Sequence, residues 1–198
     1  AAVDAWAAAG LGMLERLHVM LGADPEAVNR PGPDGWRPLH FAANPEVARL
    51  LLDHGADIDA QCIDHHGTAA QWNLGDSNIE LSRYLVDEGA VWDIFLVAAL
   101  GDVSRASVAI DEDPEVVSTR MDLEAPGGHV YLYKHIGRRC TPLHAAASHD
   151  QVEVIRLLLD RGADPDTREP THDGTSLDWA RHFGREAAAA MLAPRTRT

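Results

Sequence analysis

Thr141-Pro142-Leu143-His144-Ala145-Ala146-Ala147, followed closely by Val154-Ile155-Arg156-Leu157-Leu158-Leu159-Asp160-Arg161-Gly162-Ala163-Asp164, decides the fold. Both phrases have earlier copies. The first returns as Arg37-Pro38-Leu39-His40-Phe41-Ala42-Ala43, the second as Val47-Ala48-Arg49-Leu50-Leu51-Leu52-Asp53-His54-Gly55-Ala56-Asp57. Weaker copies of the Leu-rich run end at Gly22-Ala23-Asp24 and at Gly89-Ala90-Val91, so Gly22, Gly55 and Gly89 follow one another at 33 and 34 residues. A phrase returning at such a period marks a stacked repeat. Each part of it has a physical role. Thr141 suits a helix N-cap, and Pro142 suits the first turn, where its missing N–H costs nothing. Leu143 and the alanines give a narrow apolar face, so two helices can approach closely. The second helix, Gln151 to Asp160, is expected to present Val152, Ile155, Leu158 and Leu159 at helical spacing. Gly162 follows as the left-handed stop.

The Thr141-Pro142-Leu143-His144-Ala145-Ala146 stretch resembles the T-P-L-H-x-A signature of ankyrin repeats. Arg37-Pro38-Leu39-His40 departs from it only in Arg37, whereas Thr68-Ala69-Ala70-Gln71 and Thr175-Ser176-Leu177-Asp178 are degenerate copies. The resemblance implies an all-α ankyrin-repeat solenoid, residues 1–198 forming one domain of helix-turn-helix units with β-turn fingers. Six units are expected, starting near Val3, Trp36, Thr68, Asp93, Cys140 and Thr175, the outer two acting as caps. In the second, too few residues separate Ala43 from Val47, so its first helix must be cut short at Asn44-Pro45. The fourth follows Gly89 almost directly and lacks room for a finger. An excess over the repeat falls at about residues 121–139, read as an inserted loop.

The chain of 198 residues is 45% hydrophobic, and 17 Lys and Arg face 31 Asp and Glu, a net charge of −14. Its two halves contribute −10 and −4. Such a field repels nucleic acid and anionic membrane surfaces. No stretch reaches the roughly 18 apolar residues of a spanning helix, and the Ala-rich start carries Asp4 without a basic region, so no signal peptide is expected. Cys62 and Cys140 alone suit a reduced, cytoplasmic protein.

Motifs for phosphate loops, dinucleotide binding, nucleophile elbows and zinc proteases are all missing from the sequence. The pairs Asp57/Asp59 and Asp164/Asp166 do not continue as calcium loops; they sit in turns after helix stops. No metal or cofactor is expected. Of the 11 histidines, the resemblance assigns His40 and His144 to hydrogen bonds between neighbouring turns. Trp72, Trp179, Trp6 and Trp92 are read as packing residues.

Ankyrin proteins bind partners through finger tips and the concave ends of the first helices. Carried onto this chain, those positions are Asp34, Trp36, Asn44, His65, His66, Asp76, Ser148, His149, His172, Asp173, His182 and Phe183. A pH response of binding between about pH 5.5 and 7.5 would follow from so many imidazoles. The insertion contains Tyr131, Tyr133 and Lys134 and reaches Arg138 and Arg139, the only basic cluster. It reads equally as an arm over the groove, adding Tyr131, Tyr133 and Arg139 to the contact set, or as an excursion whose bases offset nearby acids. The function expected is non-catalytic binding of another protein, with a basic partner favoured by charge and a monomer as the binding form. The alternative is a small-molecule-binding protein or enzyme using the histidine-rich groove beneath the 121–139 insertion.

Overall fold

Apolar residues at helical spacing, bounded by capping side chains, make eleven α-helices among the described residues. The computed structural model describes residues 4–32, 34–63, 66–75, 78–121 and 139–196. These fall into two compact units, the first running to Val91 and the second starting at Trp92. The first holds α1 (Ala5–Gly10), α2 (Leu14–Ala23), α3 (Pro45–Asp53), α4 (Ala69–Gly75) and α5 (Ile79–Asp87). The second holds α6 (Ile94–Leu100), α7 (Val103–Glu112), α8 (Pro142–Ser148), α9 (Val152–Asp160), α10 (Ser176–His182) and α11 (Glu186–Leu192). Short 3₁₀ turns occupy Pro25–Val28, Pro38–Phe41 and Pro114–Ser118. Among the described residues there is no β-strand, only an isolated bridge between Arg168 and Thr175.

Consecutive helices pack as pairs: α1 with α2, α4 with α5, α6 with α7, α8 with α9, and α10 with α11. Within the first unit the Pro38–Phe41 turn packs on α1 and α4; within the second, α8 lies between α6 and α10. The second repeat is cut short as its spacing demands. Its first helix is the single turn Pro38–Phe41, and Asn44 then caps α3 by accepting the Val47 N–H at 3.0 Å. The connection into the fourth repeat runs only from the end of α5 at Asp87 to Asp93, the cap of α6, with no space for a finger. Most of the inserted loop, residues 122–138, lies outside the described residues.

The Gly-Ala pair that closes each Leu-rich run is a helix stop of defined chemistry. After α3, Gly55 has φ +84°, and the Gly55 and Ala56 N–H groups donate to the carbonyls of Leu52 and Leu51 at 2.9 and 3.0 Å. These are the two bonds of a Schellman motif. The same pair forms at Gly89-Ala90 after α5 and at Gly162-Ala163 after α9. Gly22-Ala23 breaks the pattern. There α2 runs on through Ala23, and Asp24 leaves the helix with φ −144° because Pro25 follows it. The clash of a proline ring with the preceding residue's backbone ends the helix without a left-handed glycine. Asp113, before Pro114, ends α7 in the same way with φ −140°.

Small and large apolar residues divide the packing as expected. Ala8, Ala9, Ala69, Ala70, Ala145, Ala146 and Ala147 are buried on the first helices of their pairs. Leu17, Leu51, Leu81, Leu85 and Leu158 are buried on the second helices, each side chain contributing about 2 kcal/mol of burial. On α9 the buried face is Val154, Ile155 and Leu158, while Val152 and Leu159 are only half-buried. The expected stripe is therefore turned toward Val154, because the helix begins at Val152 and its first residue lies at the rim.

Candidate functional site

Four repeats solve the start of the first helix with different side chains in one position. The His40 Nδ1 accepts the Arg37 N–H at 3.2 Å, and the Gln71 Oε1 accepts that of Thr68 at 3.0 Å. His144 Nδ1 accepts the Thr141 N–H at 3.2 Å and lies 2.8 Å from the Thr141 hydroxyl; Asp178 Oδ2 accepts from the N–H and the hydroxyl of Thr175 at 2.9 and 2.8 Å. The Thr141 hydroxyl thus also engages the imidazole, beside the capping role that the sequence suggested. With Nδ1 accepting, the two imidazoles carry their proton on Nε2 and donate it to the next finger: His40 to the Gly67 carbonyl and His144 to that of Gly174, each at 3.2 Å. Burial is the largest influence on both rings and depresses their pKa, His144 to about 4. They are scaffold, as expected.

In the first unit a tight finger positions Trp36. The Gly32 N–H donates to the Trp36 carbonyl at 2.7 Å, Gly35 N–H returns to the Gly32 carbonyl at 3.0 Å, and Gly35 has φ +77°. A side chain at Gly35 would meet the Ile63 backbone nitrogen at 2.7 Å, so the finger closes on Ile63 only with glycine there. The Trp36 ring then meets Trp72 at 4.1 Å, His40 at 5.1 Å and Phe41 at 5.9 Å between centroids. Beside it opens a cleft of about 470 Å³ lined by Asp4, Trp6, Ala7, Gly10, Leu11, Gly32, Asp34, Trp36 and Phe41. Leu11 is 70% exposed and Phe41 39%. Asp34 and Trp36 were expected at a binding face; Asp4, Trp6, Leu11 and Phe41 were not. Phe41 did carry a signal, since it replaces the small Ala145 of the full motif copy.

In the second unit Trp179 is the centre. His172 and His182 meet its ring edge-on at 5.3 and 5.4 Å, and Phe183 stacks on it at 5.7 Å. Its Nε1 is buried without a hydrogen-bond partner and faces Gly174, where an added Cβ would lie 3.1 Å away. A cleft of about 310 Å³ is lined by His172, Gly174, Asp178, Trp179 and His182. The wholly buried Glu169 shapes this finger by accepting the Thr171 and His172 N–H groups, both at 2.7 Å, with His172 Nδ1 3.3 Å away. Asp173 has φ +54° and pairs with Arg168 at 3.4 Å.

Other expected contact residues are engaged in the scaffold. Asn44 caps α3. Ser148 is buried, donates to the His144 carbonyl at 2.8 Å, and its own carbonyl receives Arg185 Nε at 2.8 Å. His149 Nδ1 lies 3.0 Å from the Ala145 carbonyl. His66 holds a turn with φ +50°, its N–H on the Cys62 carbonyl at 3.1 Å, and the Arg139 carbonyl accepts Arg120 at 3.1 Å. His65, Asp76, Tyr131 and Tyr133 lie outside the described residues. Among the described residues no cluster of three or more His, Cys, Asp or Glu could hold a metal ion, and no helix is long and apolar enough to cross a membrane.

Known proteins with this pattern are many. Among curated relatives, alpha-latrocrustotoxin-Lt1a of Latrodectus tredecimguttatus is 24% identical over 60% of this chain and 8% of its own length. Ankyrin repeat and SAM domain-containing protein 6 of Mus musculus is 30% identical over 60% of this chain and 14% of its own. The chain thus spans only about a tenth of the curated relatives it matches. A chain in the solved complex of the predatory endopeptidase Bd0816 of Bdellovibrio bacteriovorus with immunity protein Bd3460 has the same fold, with a TM-score of 0.62, 18% identity, and coverage of 98% of this chain and 99% of that one. The family profile for three ankyrin repeats matches residues 5–95, and that for a single ankyrin repeat matches residues 138–169. With the helix pairs, Schellman stops and bridging histidines in place, the chain belongs to the ankyrin-repeat family.

Proposed function

We propose that this protein is a non-catalytic binding module that holds a basic protein partner through its fingers and the exposed ends of its first helices, and that it does so as a monomer. The observation that carries this reading is the aromatic cleft of the first unit. Trp36, Phe41 and Leu11 leave apolar surface in solvent beside Asp4 and Asp34. Large aromatic residues at an exposed cleft are the usual anchors of a protein interface. The net charge of −14 favours a basic partner by steering its approach and rejecting acidic competitors. The Bdellovibrio complex supports the reading in one respect: a fold like this one takes part in an assembly of an endopeptidase with its immunity protein. Masking a basic surface of a partner enzyme is the role that charge and that precedent together favour.

The test is affinity capture from the native cell with the parent chain, Trp36→Ala and Asp34→Lys, followed by calorimetry on the purified partner. The reading expects one partner lost by both variants, with affinity falling as salt rises. Equal capture by all three chains would refute it. A small-molecule site remains the second reading, supported by the cleft where His172 and His182 flank Trp179. At about 310 Å³ this cleft sits at the small end of ligand pockets.

A further inference from the structure

We infer that the cleft between Trp6, Trp36 and Phe41 is a receptor for a single cationic side chain, an arginine of the partner. This rests on the protein-binding reading and names the chemistry of its central contact. Three observations lead to it. First, the walls are aromatic: Trp6 comes from α1, Trp36 from the finger and Phe41 from the 3₁₀ turn. Their rings are held in place, Trp6 by its indole N–H on the Arg30 carbonyl at 3.1 Å and Trp36 by Trp72 at 4.1 Å. Second, the floor is kept open by two glycines. A Cβ at Gly10 would lie 3.5 Å from the Phe41 carbonyl, and one at Gly32 would lie 3.5 Å from the Trp6 ring. Any longer side chain at either position would occupy the space.

Third, the ionisable lining is of one sign. Asp34 and Asp4, which caps α1 by accepting the Ala7 N–H at 2.8 Å, are the charged residues of the cleft. Arg37, three residues beyond Asp34, is directed away: its Nε donates to the Asn29 carbonyl at 3.2 Å. Arg30, behind Trp6, is paired with Asp24 at 2.8 Å. An apolar side chain would be served by the rings alone and would leave two carboxylates partly desolvated for nothing. A guanidinium uses both features, lying on an indole face while facing a carboxylate. Arginine is preferred to lysine because its planar, weakly hydrated head stacks on aromatic faces.

The experiment uses the isolated cation, so its outcome does not depend on a partner being found. The full chain, labelled with ¹⁵N, is titrated with N-acetyl-arginine amide while the indole N–H signals of its five tryptophans are followed. The same titration is run with the citrulline and leucine derivatives. Signals of Trp6 and Trp36 are expected to shift and saturate in the millimolar range, as suits one side chain. Trp92 and Trp179 stay still. Citrulline and leucine derivatives bind at least about threefold more weakly, the loss of a cation–π contact at an exposed site. The double variant Asp4→Asn, Asp34→Asn removes both charges, and an asparagine in the N-cap position of α1 keeps the capping bond. It should weaken arginine severalfold and leave leucine unchanged. Gly10→Leu should abolish the shifts with an unaltered circular dichroism spectrum. Equal binding of citrulline or leucine, shifts spread over all indoles, or no saturable shift would each overturn the assignment. If the titration fails while Trp36→Ala still loses the captured partner, the protein-binding reading stands and only the cationic anchor is refuted.

Discussion

Lowering the pH from 7.5 to 5.0 should loosen this fold through the buried imidazole of His144, and the effect has a calculable size. Its Nδ1 is committed as an acceptor from Thr141 and its Nε2–H as a donor to Gly174, so a second proton has no place to go. Burial holds its pKa at about 4 in the folded chain, against 6.5 when exposed. Because the folded value is the lower one, the unfolded chain takes up the proton first. Stability is therefore complete above about pH 6.5 and falls as pH drops toward about 4. The two values give a loss of about 2 kcal/mol at pH 5, approaching about 3 kcal/mol below pH 4. His40 is displaced in the same direction and adds to it. The informative variant is His144→Gln, since Gln71 already performs the capping half of this task in the third repeat. Urea unfolding followed by circular dichroism at pH 7.5 and 5.0 measures both proteins. The variant should start lower by about 1 kcal/mol, for the lost bond to Gly174, but should lose about 2 kcal/mol less on acidification. If it loses as much as the parent, the pH dependence does not arise at His144.

Three further outcomes can be measured. Gly35→Ala places a Cβ against the Ile63 backbone at a left-handed φ, and should cost about 1–3 kcal/mol while changing the Trp36 fluorescence, since the finger must open. Glu169→Gln replaces an acceptor of two N–H bonds by a group that donates from one end; a thermal-unfolding loss of about 2 kcal/mol is expected, and unchanged stability would show the turn holds without it. Partner binding, once the partner is in hand, should weaken when His172→Gln and His182→Gln are combined, and unchanged affinity would show that the rings around Trp179 do not touch it.

The repeat frame was legible because two chemical constraints write themselves into the residue order. A Schellman stop needs glycine at one position, which is why Gly55, Gly89 and Gly162 stand at the ends of Leu-rich runs. A first-turn proline after a capping residue marks Pro38 and Pro142. Gly22 misled for the same reason in reverse: Pro25, three residues on, ends the helix by a different mechanism, and the glycine is left in ordinary helical conformation. The candidate site was only half legible. Finger residues Asp34 and Trp36 follow from the repeat, but Trp6 and Asp4 reach the same cleft from another repeat. No spacing rule joins residues brought together by packing. Asn44 and Ser148 were carried over by position alone, and their hydrogen bonds place them in the frame. Glu169 had no signal in one sequence, since a buried carboxylate that holds a turn looks like any surface acid until its donors are seen.

The four capping side chains also give a pH response of the fold a route to the fingers. His40, Gln71, His144 and Asp178 all accept the N–H three residues before them. The two histidines go on to bind the carbonyl of the following finger, Gly67 or Gly174. Those glycines adjoin His66 and Asp173, residues of the expected contact set, and the Gly174 finger also carries His172. Protonating a bridging histidine therefore acts on the shape of a finger. The effect needs a proton on a ring whose pKa burial has lowered, so it is confined to the acid side. It also lowers stability in step with affinity. His144→Gln should thus remove a binding change that tracks stability. A variant that altered the binding profile at unchanged pH-dependence of unfolding would show that the bridge to Gly174 does not transmit to the finger.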